Sequence, residues 1–330
     1  MYSRGMLVVL QLLALLFFCL LLIKATESIV SAIKGLSRRM RMGGFGITAF
    51  ILALATSLPE LVVAITASLE GLPSIVLGNV LGSNIADISL VIGGAAIAAG
   101  KLRVTGETLK RDLYLVFGAA ILPVLLIADH VLSSADGVVL LGVYAMFVVT
   151  VLRKHTREVG EHALSDSPAK RLLIAVTKRG GRTDAIKFAL GVSTLLLSSH
   201  FIVQLAQGLA LGLGVPVLIV GLFLVAIGTS LPELVFEMKA VTAGQVSMAF
   251  GDLLGSVVAN ATLILGVSAL IAPIRLDNGL DEYVSAIGAF VILYGLFVWF
   301  SRTKSRLTRW EGLILLMIYF GFVVFEMGRV

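Results

Sequence analysis

The sequence predicts an all-α integral membrane protein, with ten transmembrane helices arranged as two five-helix repeats of inverted topology. Three observations predict it. The 330-residue chain is 58% hydrophobic and only 14% charged, too apolar to solvate a surface at this length. Apolar runs of spanning length recur from end to end, and basic residues gather in alternate connections between them. A shift of 173 residues superimposes motifs of the first half on the second. A membrane β-barrel is disfavoured, because its strands alternate in polarity and these runs are continuously apolar.

The ten runs cover about 6–33, 43–69, 73–99, 113–129, 136–152, 185–211, 216–243, 246–272, 281–300 and 309–327. The first follows a single Arg4. It is longer than a signal-peptide core and has no clear small-x-small cleavage site, so it reads as a span. Lys34, Arg38, Arg39 and Arg41 follow span 1; Lys101, Arg103, Lys110 and Arg111 follow span 3. Nine basic residues from Arg153 to Lys187 follow span 5, and Arg302, Lys304, Arg306 and Arg309 follow span 9. The connections after spans 2, 4 and 6 carry no Lys or Arg, and the one after span 8 only Arg275. The positive-inside rule then makes the odd connections cytoplasmic and puts both termini outside a cell membrane. Residues 1–153 form the first repeat, 154–183 a basic cytoplasmic linker and 184–330 the second repeat. The net charge of +6 is spent on topology and gives no nucleic-acid surface. The one cysteine, Cys19, allows neither an internal disulfide nor a cysteine metal centre. The expected partners are the bilayer and small ions, with one chain as the transport unit and no cofactor.

Under the 173-residue shift, Ala53 falls on Ala226, Thr56 on Thr229, Ser57 on Ser230, Pro59 on Pro232 and Glu60 on Glu233. Further on, "GNVLGSNIAD" from Gly78 pairs with "GDLLGSVVAN" from Gly251. Two motifs more than twenty residues apart share one register. Because five is odd, the halves enter the membrane from opposite sides, an architecture of secondary transporters.

The motifs have a physical reading. Pro59 has no N–H, so the carbonyl of Ala55 loses its helical partner, and carbonyls near Ala53 to Thr56 turn sideways. Such oxygens must face protein or a hydrated cavity. Glu60 lies midway along its span, where a lone charge costs several kcal/mol. No basic residue accompanies it in spans 2 or 3, so a bound cation is its natural partner. In the next span Asn79, Ser83 and Asp87 stand at i, i+4 and i+8. In the second half Asp252, Ser256 and Asn260 do the same, and each triplet makes an oxygen-bearing stripe. Gly78, Gly82, Gly251 and Gly255 give room for close helix approach. The donor set is all oxygen: carboxylates, amides, carbonyls and the hydroxyls of Thr56, Ser57, Ser83, Thr229, Ser230 and Ser256. Hard cations such as calcium and sodium favour it, whereas transition metals prefer His or Cys.

"ATSLPELVVAITA" with "GNVLGSNIADISLVIG", and "AIGTSLPELVFEMKA" with "GDLLGSVVANATLILG", resemble the two alpha-repeats of the calcium/cation antiporter superfamily, prokaryotic sodium/calcium exchanger branch. The resemblance covers the whole ten-span layout and implies a sodium/calcium exchanger-like fold. It implies one central calcium site on Glu60 and Glu233, with Asp87 and Asn260 beside it. It implies sodium sites on the Ser and Thr of the motifs, with backbone carbonyls at Ala53 and Ala226. It also implies that spans 1 and 6 slide as a gating pair across the other eight.

The chain departs from that pattern. The related exchangers carry an amide first and an acid second, whereas here Asp87 comes first and Asn260 second. Asn79 faces Asp252, where the family commonly has two asparagines. Asp252 either pairs with Lys239 or joins Glu237, which lies one turn beyond Glu233; local charge compensation is the favoured reading. Asn79, Asp252 and Glu237 are secondary candidate ligands. His200 in span 6 aligns with Glu27 in span 1 as a candidate packing pair. The expected activity is exchange of calcium for sodium, with calcium/proton (or other divalent/proton) antiport as the alternative. A cation channel is a less favoured reading and would show a steady ohmic current. A serine enzyme is disfavoured, because no His or Lys sits in the motifs as a base.

Overall fold

The computed structural model describes residues 4–39, 56–103, 107–156, 180–276, 279–303 and 306–329, and these are helical almost throughout. The helices are α1 (Arg4–Arg39), α2 (Leu58–Leu69), α3 (Pro73–Ala99), α4 (Glu107–Leu126), α5 (Ser134–Thr156) and α6 (Gly181–Leu213). They continue as α7 (Val217–Thr229), α8 (Leu231–Thr242), α9 (Val246–Ile271), α10 (Val284–Thr303) and α11 (Arg309–Met327). Six are long and apolar enough to cross a membrane: α1, α3, α6, α9, α10 and α11. Together α7 and α8 make a seventh candidate, bent by 42° at their break. Shorter apolar helices occupy Leu58–Leu69, Leu113–Asp129 and Ser134–Thr150. The first part of the second apolar run, Ala53 within it, lies outside the described residues, as does most of the 154–183 linker.

The two TSLPEL copies start helices. Pro59 and Pro232 sit in the first turns of α2 and α8, where a missing N–H costs nothing. That is why the α7–α8 run bends: a new helix begins in the middle of an apolar segment. Gly71 and Gly244 then turn the chain with φ of +70° and +76°, a conformation that favours glycine. The stripes are also interrupted. The α3 backbone passes through a π-helical turn at Asp87–Val91, and α9 through one at Ala259–Ile264. Shifted by 173 residues, these turns overlap. A third π turn, Val220–Val225, precedes the break in α7.

Helices α3 and α9 are the most buried of the spanning candidates, and α1 the least. Glycines set the closest crossings. A Cβ at Gly78 would lie 2.8 Å from the Leu218 carbonyl oxygen and one at Gly221 3.2 Å from the Gly78 Cα, locking α3 onto α7. Gly93 faces the Gly312 carbonyl, and Gly266 faces Gly137, so α3–α11 and α9–α5 cross in the same way. By contrast, Gly251 meets nothing within 4 Å and is exposed, so the expected close approach there is not found. The long helices α1 and α6 pair along their length, with Phe18 stacked on Phe201 at 4.6 Å and Gly191 against Ala25 and Ile29.

Two short antiparallel ribbons join the halves. Strand β1 (Lys101–Arg103) pairs with β4 (Arg306–Thr308), and β2 (Val131–Leu132) with β3 (Ile274–Arg275). The proposed Glu27–His200 pairing is not formed. Glu27 binds Lys24 at 2.8 Å. His200 instead contacts the Glu70 carboxylate at 2.9 Å, and Gln204 donates to its other oxygen at 2.8 Å. The two helices run in opposite directions, with Phe18 beside Phe201 and Ala25 and Ile29 beside Gly191, so Glu27 and His200 lie at different levels of the pair.

Candidate functional site

Four helical segments bring the motifs together. The start of α2 carries Thr56, Ser57 and Glu60; the α7–α8 break carries Ala226, Thr229, Ser230 and Glu233. Helix α3 contributes Asn79, Ser83 and Asp87, and α9 contributes Asp252, Ser256 and Asn260. Every one of these residues is buried, none more than 3% exposed. Such burial of polar groups is costly unless each finds a partner.

Many do so across the repeats. Thr56 donates its hydroxyl to Asp252 Oδ1 at 3.1 Å, and Thr229 donates to Asn79 Oδ1 at 3.1 Å. Ser57 donates to Ser256 Oγ at 3.0 Å, and Ser83 Oγ lies 3.4 Å from Thr229 Oγ1. Asn260 donates through Nδ2 to Asn84 Oδ1 at 3.0 Å. Each motif on one half is therefore fastened to a stripe on the other.

The remaining oxygens are left over. Both carboxylate oxygens of Glu60, one each of Glu233 and Asp87, the amide oxygen of Asn260 and the hydroxyl of Ser230 are buried with no hydrogen-bond partner. The Thr229 and Ser230 hydroxyls approach Glu60 without reaching hydrogen-bond geometry. The carboxylates of Glu60, Asp87, Glu233, Glu237 and Asp252 are near enough to repel one another. Among the described residues none of these acids forms an ion pair. Nor do three acidic, His or Cys side chains converge into a ready-made metal cage. This chemistry, hard oxygen donors carrying excess negative charge, suits a hard cation.

Several expectations change at this point. Lys239 is exposed and pairs with neither Asp252 nor Glu237, so the charge-compensation reading fails. Lys239 lies two residues beyond Glu237 on a helix, which turns it to another face. Glu237 is 1% exposed, and both its oxygens lack partners. The Ala226 carbonyl is not bare, because it accepts from the Ser230 N–H at 2.9 Å and from the Thr229 hydroxyl at 3.2 Å. Asn84 was not singled out by the repeat, since the shift places Val257 opposite it. Its place beside Ser83 in "GSNIAD" was the available signal.

The profile of the sodium/calcium exchanger protein family matches residues 10–153 and 184–328. CaxA of Alkalimonas amylolytica, named as an antiporter, is 33% identical over 307 residues, covering 92% of this chain and 94% of that protein. The sodium/calcium exchanger MaX1 of Methanosarcina acetivorans is 28% identical, covering 94% and 97%. A solved structure of the sodium-calcium exchanger NCX_Mj, soaked with Na+ and Ca2+, matches with a TM-score of 0.64 at 25% identity, covering 96% of this chain and 98% of that one. Another, soaked with Na+ and Sr2+, has a TM-score of 0.65 at 25% identity, covering 96% and 99%.

Proposed function

Because the chain belongs to the sodium/calcium exchanger protein family, we propose that it is an antiporter exchanging Ca2+ for Na+ across the cell membrane by alternating access. In this reading ten spans form two inverted five-helix repeats, both termini lie outside, and the single chain is the transport unit. The observation that carries it is the set of buried carboxylate oxygens on Glu60, Glu233 and Asp87 that no protein group satisfies. Two glutamates from opposite repeats hold calcium, with Asp87 and Asn260 completing its shell. Sodium takes the hydroxyls of Thr56, Ser57, Ser83, Thr229, Ser230 and Ser256, with the Ala53 carbonyl and the Ala226 lone pair that stays free when Thr229 gives its one hydrogen to Asn79. Mutual repulsion among the acids is relieved only when cations are present, so the cage favours the loaded states. Exchange rather than uniport requires in addition that the empty cage not switch sides, so that only loaded states interconvert. Helices α1 and α6 form the moving pair. They pack chiefly on each other, and polar contacts such as Thr66–Ser199 and Glu70–His200 join α6 to α2.

Exchange of calcium for protons is the second reading. It is favoured by the two added buried acids, Glu237 and Asp252, which suit proton carriage better than sodium binding. Calcium flux in proteoliposomes, with sodium and pH gradients imposed separately, separates the two. Sodium-driven flux with little response to the pH gradient is expected, and the converse would replace sodium by protons.

Ser57→Ala and Ser83→Ala test the hydroxyl assignment. Each is expected to raise the half-saturating sodium concentration about 10-fold, the equivalent of one lost contact of about 1.4 kcal/mol. Calcium half-saturation should move less. An unaltered sodium response in both variants would exclude these hydroxyls from the sodium sites.

A further inference from the structure

Asn79 and Asp252 occupy equivalent places in the two repeats, and each meets a threonine of the opposite repeat at the same distance. Thr229 reaches Asn79 Oδ1 at 3.1 Å, and Thr56 reaches Asp252 Oδ1 at 3.1 Å. All four residues are buried. A hydroxyl has one hydrogen and two lone pairs. With its hydrogen drawn to Asn79 or Asp252, the threonine oxygen presents lone pairs to whatever lies on its other side. Left unheld, the same hydroxyl would rotate. Thr229 would then turn its hydrogen toward the nearby Glu60 carboxylate and compete with a cation for it.

We infer that Asn79 and Asp252 are positioning residues, which aim the hydroxyls of Thr229 and Thr56 as acceptors toward the cation and do not ligate it themselves. The inference rests on the assignment of those two hydroxyls to the sodium sites. The acid at position 252 gives the pairing a built-in asymmetry. Thr56 donates to the side chain of an acid. The Thr229 hydrogen is drawn instead by a neutral amide, and also by the Ala226 carbonyl at 3.2 Å. The amide has a second job: Asn79 Nδ2 reaches the Glu60 carbonyl at 3.4 Å. Asp252 has no N–H for an equivalent contact, and its Oδ2 is buried without a partner. Through Asn79, the half of the cage built on Thr229 is tied to the backbone beside Glu60.

The test is sodium-driven calcium flux by the full chain in proteoliposomes, for Thr56→Ala, Asp252→Asn, Asp252→Ala and the Thr56→Ala/Asp252→Ala pair. An asparagine at 252 keeps an oxygen that accepts from Thr56. Asp252→Asn is therefore expected to hold sodium half-saturation within about 3-fold of wild type. Asp252→Ala should raise it about 10-fold, as loss of a supporting partner does for metal ligands, with maximal rate changed less than 2-fold. Thr56→Ala should do the same, and the double variant should be no worse than either single one, because both remove one interaction. If Thr56→Ala raises sodium half-saturation but Asp252→Asn abolishes transport, the carboxylate itself ligates the cation. The positioning inference then falls while the sodium-site reading stands. Additive losses in the double variant would overturn it equally. If Thr56→Ala leaves sodium half-saturation unchanged, the hydroxyl assignment fails and takes the inference with it.

Discussion

Glu60→Gln and Glu233→Gln are each expected to abolish calcium flux while leaving a folded, membrane-inserted protein. Glutamine keeps the shape of the side chain but removes its charge and turns N–H donors toward the cation. Removing one partner of a buried charge pair costs about 3–5 kcal/mol. At 1.4 kcal/mol per tenfold, that is at least about 100-fold in flux at sub-saturating calcium. Stability should move the other way. The Glu60 carboxylate oxygens are buried and unpartnered, and neighbouring acids repel them. Neutralising one in calcium-free detergent should leave the thermal midpoint unchanged or raise it. Radiolabelled calcium uptake and a calcium-free melting curve together check both signs. Wild-type transport by both variants would remove the two glutamates from the calcium site.

Gly82→Val is expected to prevent the core from closing. A Cβ at Gly82 would collide with the Leu222 carbonyl oxygen and lie 2.6 Å from the Ala226 Cβ. These neighbours are largely backbone in the middle of α7, so no flexible side chain can swing away. Overpacking of a core costs about 1–3 kcal/mol where side chains can adjust, and here they cannot, so the loss should exceed that range. The damage reaches the site directly, because Ser83 is the next residue and Ala226 opens the turn that holds Thr229. Gly251→Ala is the matched control. It sits in the equivalent motif with nothing within 4 Å and should melt like wild type. Size-exclusion profiles and melting curves of the two variants check the contrast. A Gly82→Val protein as stable as Gly251→Ala would show that the α3–α7 crossing tolerates separation.

Most of this site was legible in the sequence because the duplication carries the information twice. Glu60 alone is an acid in an apolar run, but Glu60 with Glu233, each behind a proline, is a pattern. The stripes were legible for the same reason, since residues four apart share a helix face, although π turns begin at Asp87 and Ala259. What could not be read was which side chain meets which. The Thr56–Asp252 and Thr229–Asn79 bonds cross between halves, and no spacing along one helix encodes them. Lys239 looked like a partner for Asp252 because both are charged and near in sequence, yet helical phase turns it outward. The π turns at Asp87 and Ala259 were equally invisible, since a single extra residue in a turn leaves no mark on an apolar pattern. Asn84 escaped because it breaks the symmetry that revealed the others.

The two ribbons, β1 with β4 and β2 with β3, fasten the two halves to each other. Each takes one strand from the first half and one from the second. Shifted by 173 residues, β1 falls on β3 and β4 falls close to β2, so the two ribbons are one ribbon drawn twice. Each half owns one strand of each type, yet β1 does not pair with β2 nor β3 with β4, and each ribbon closes only across the halves. Two separate half-length chains would have to meet before either ribbon could form. In one chain the second half is always at hand, so both ribbons close without an encounter.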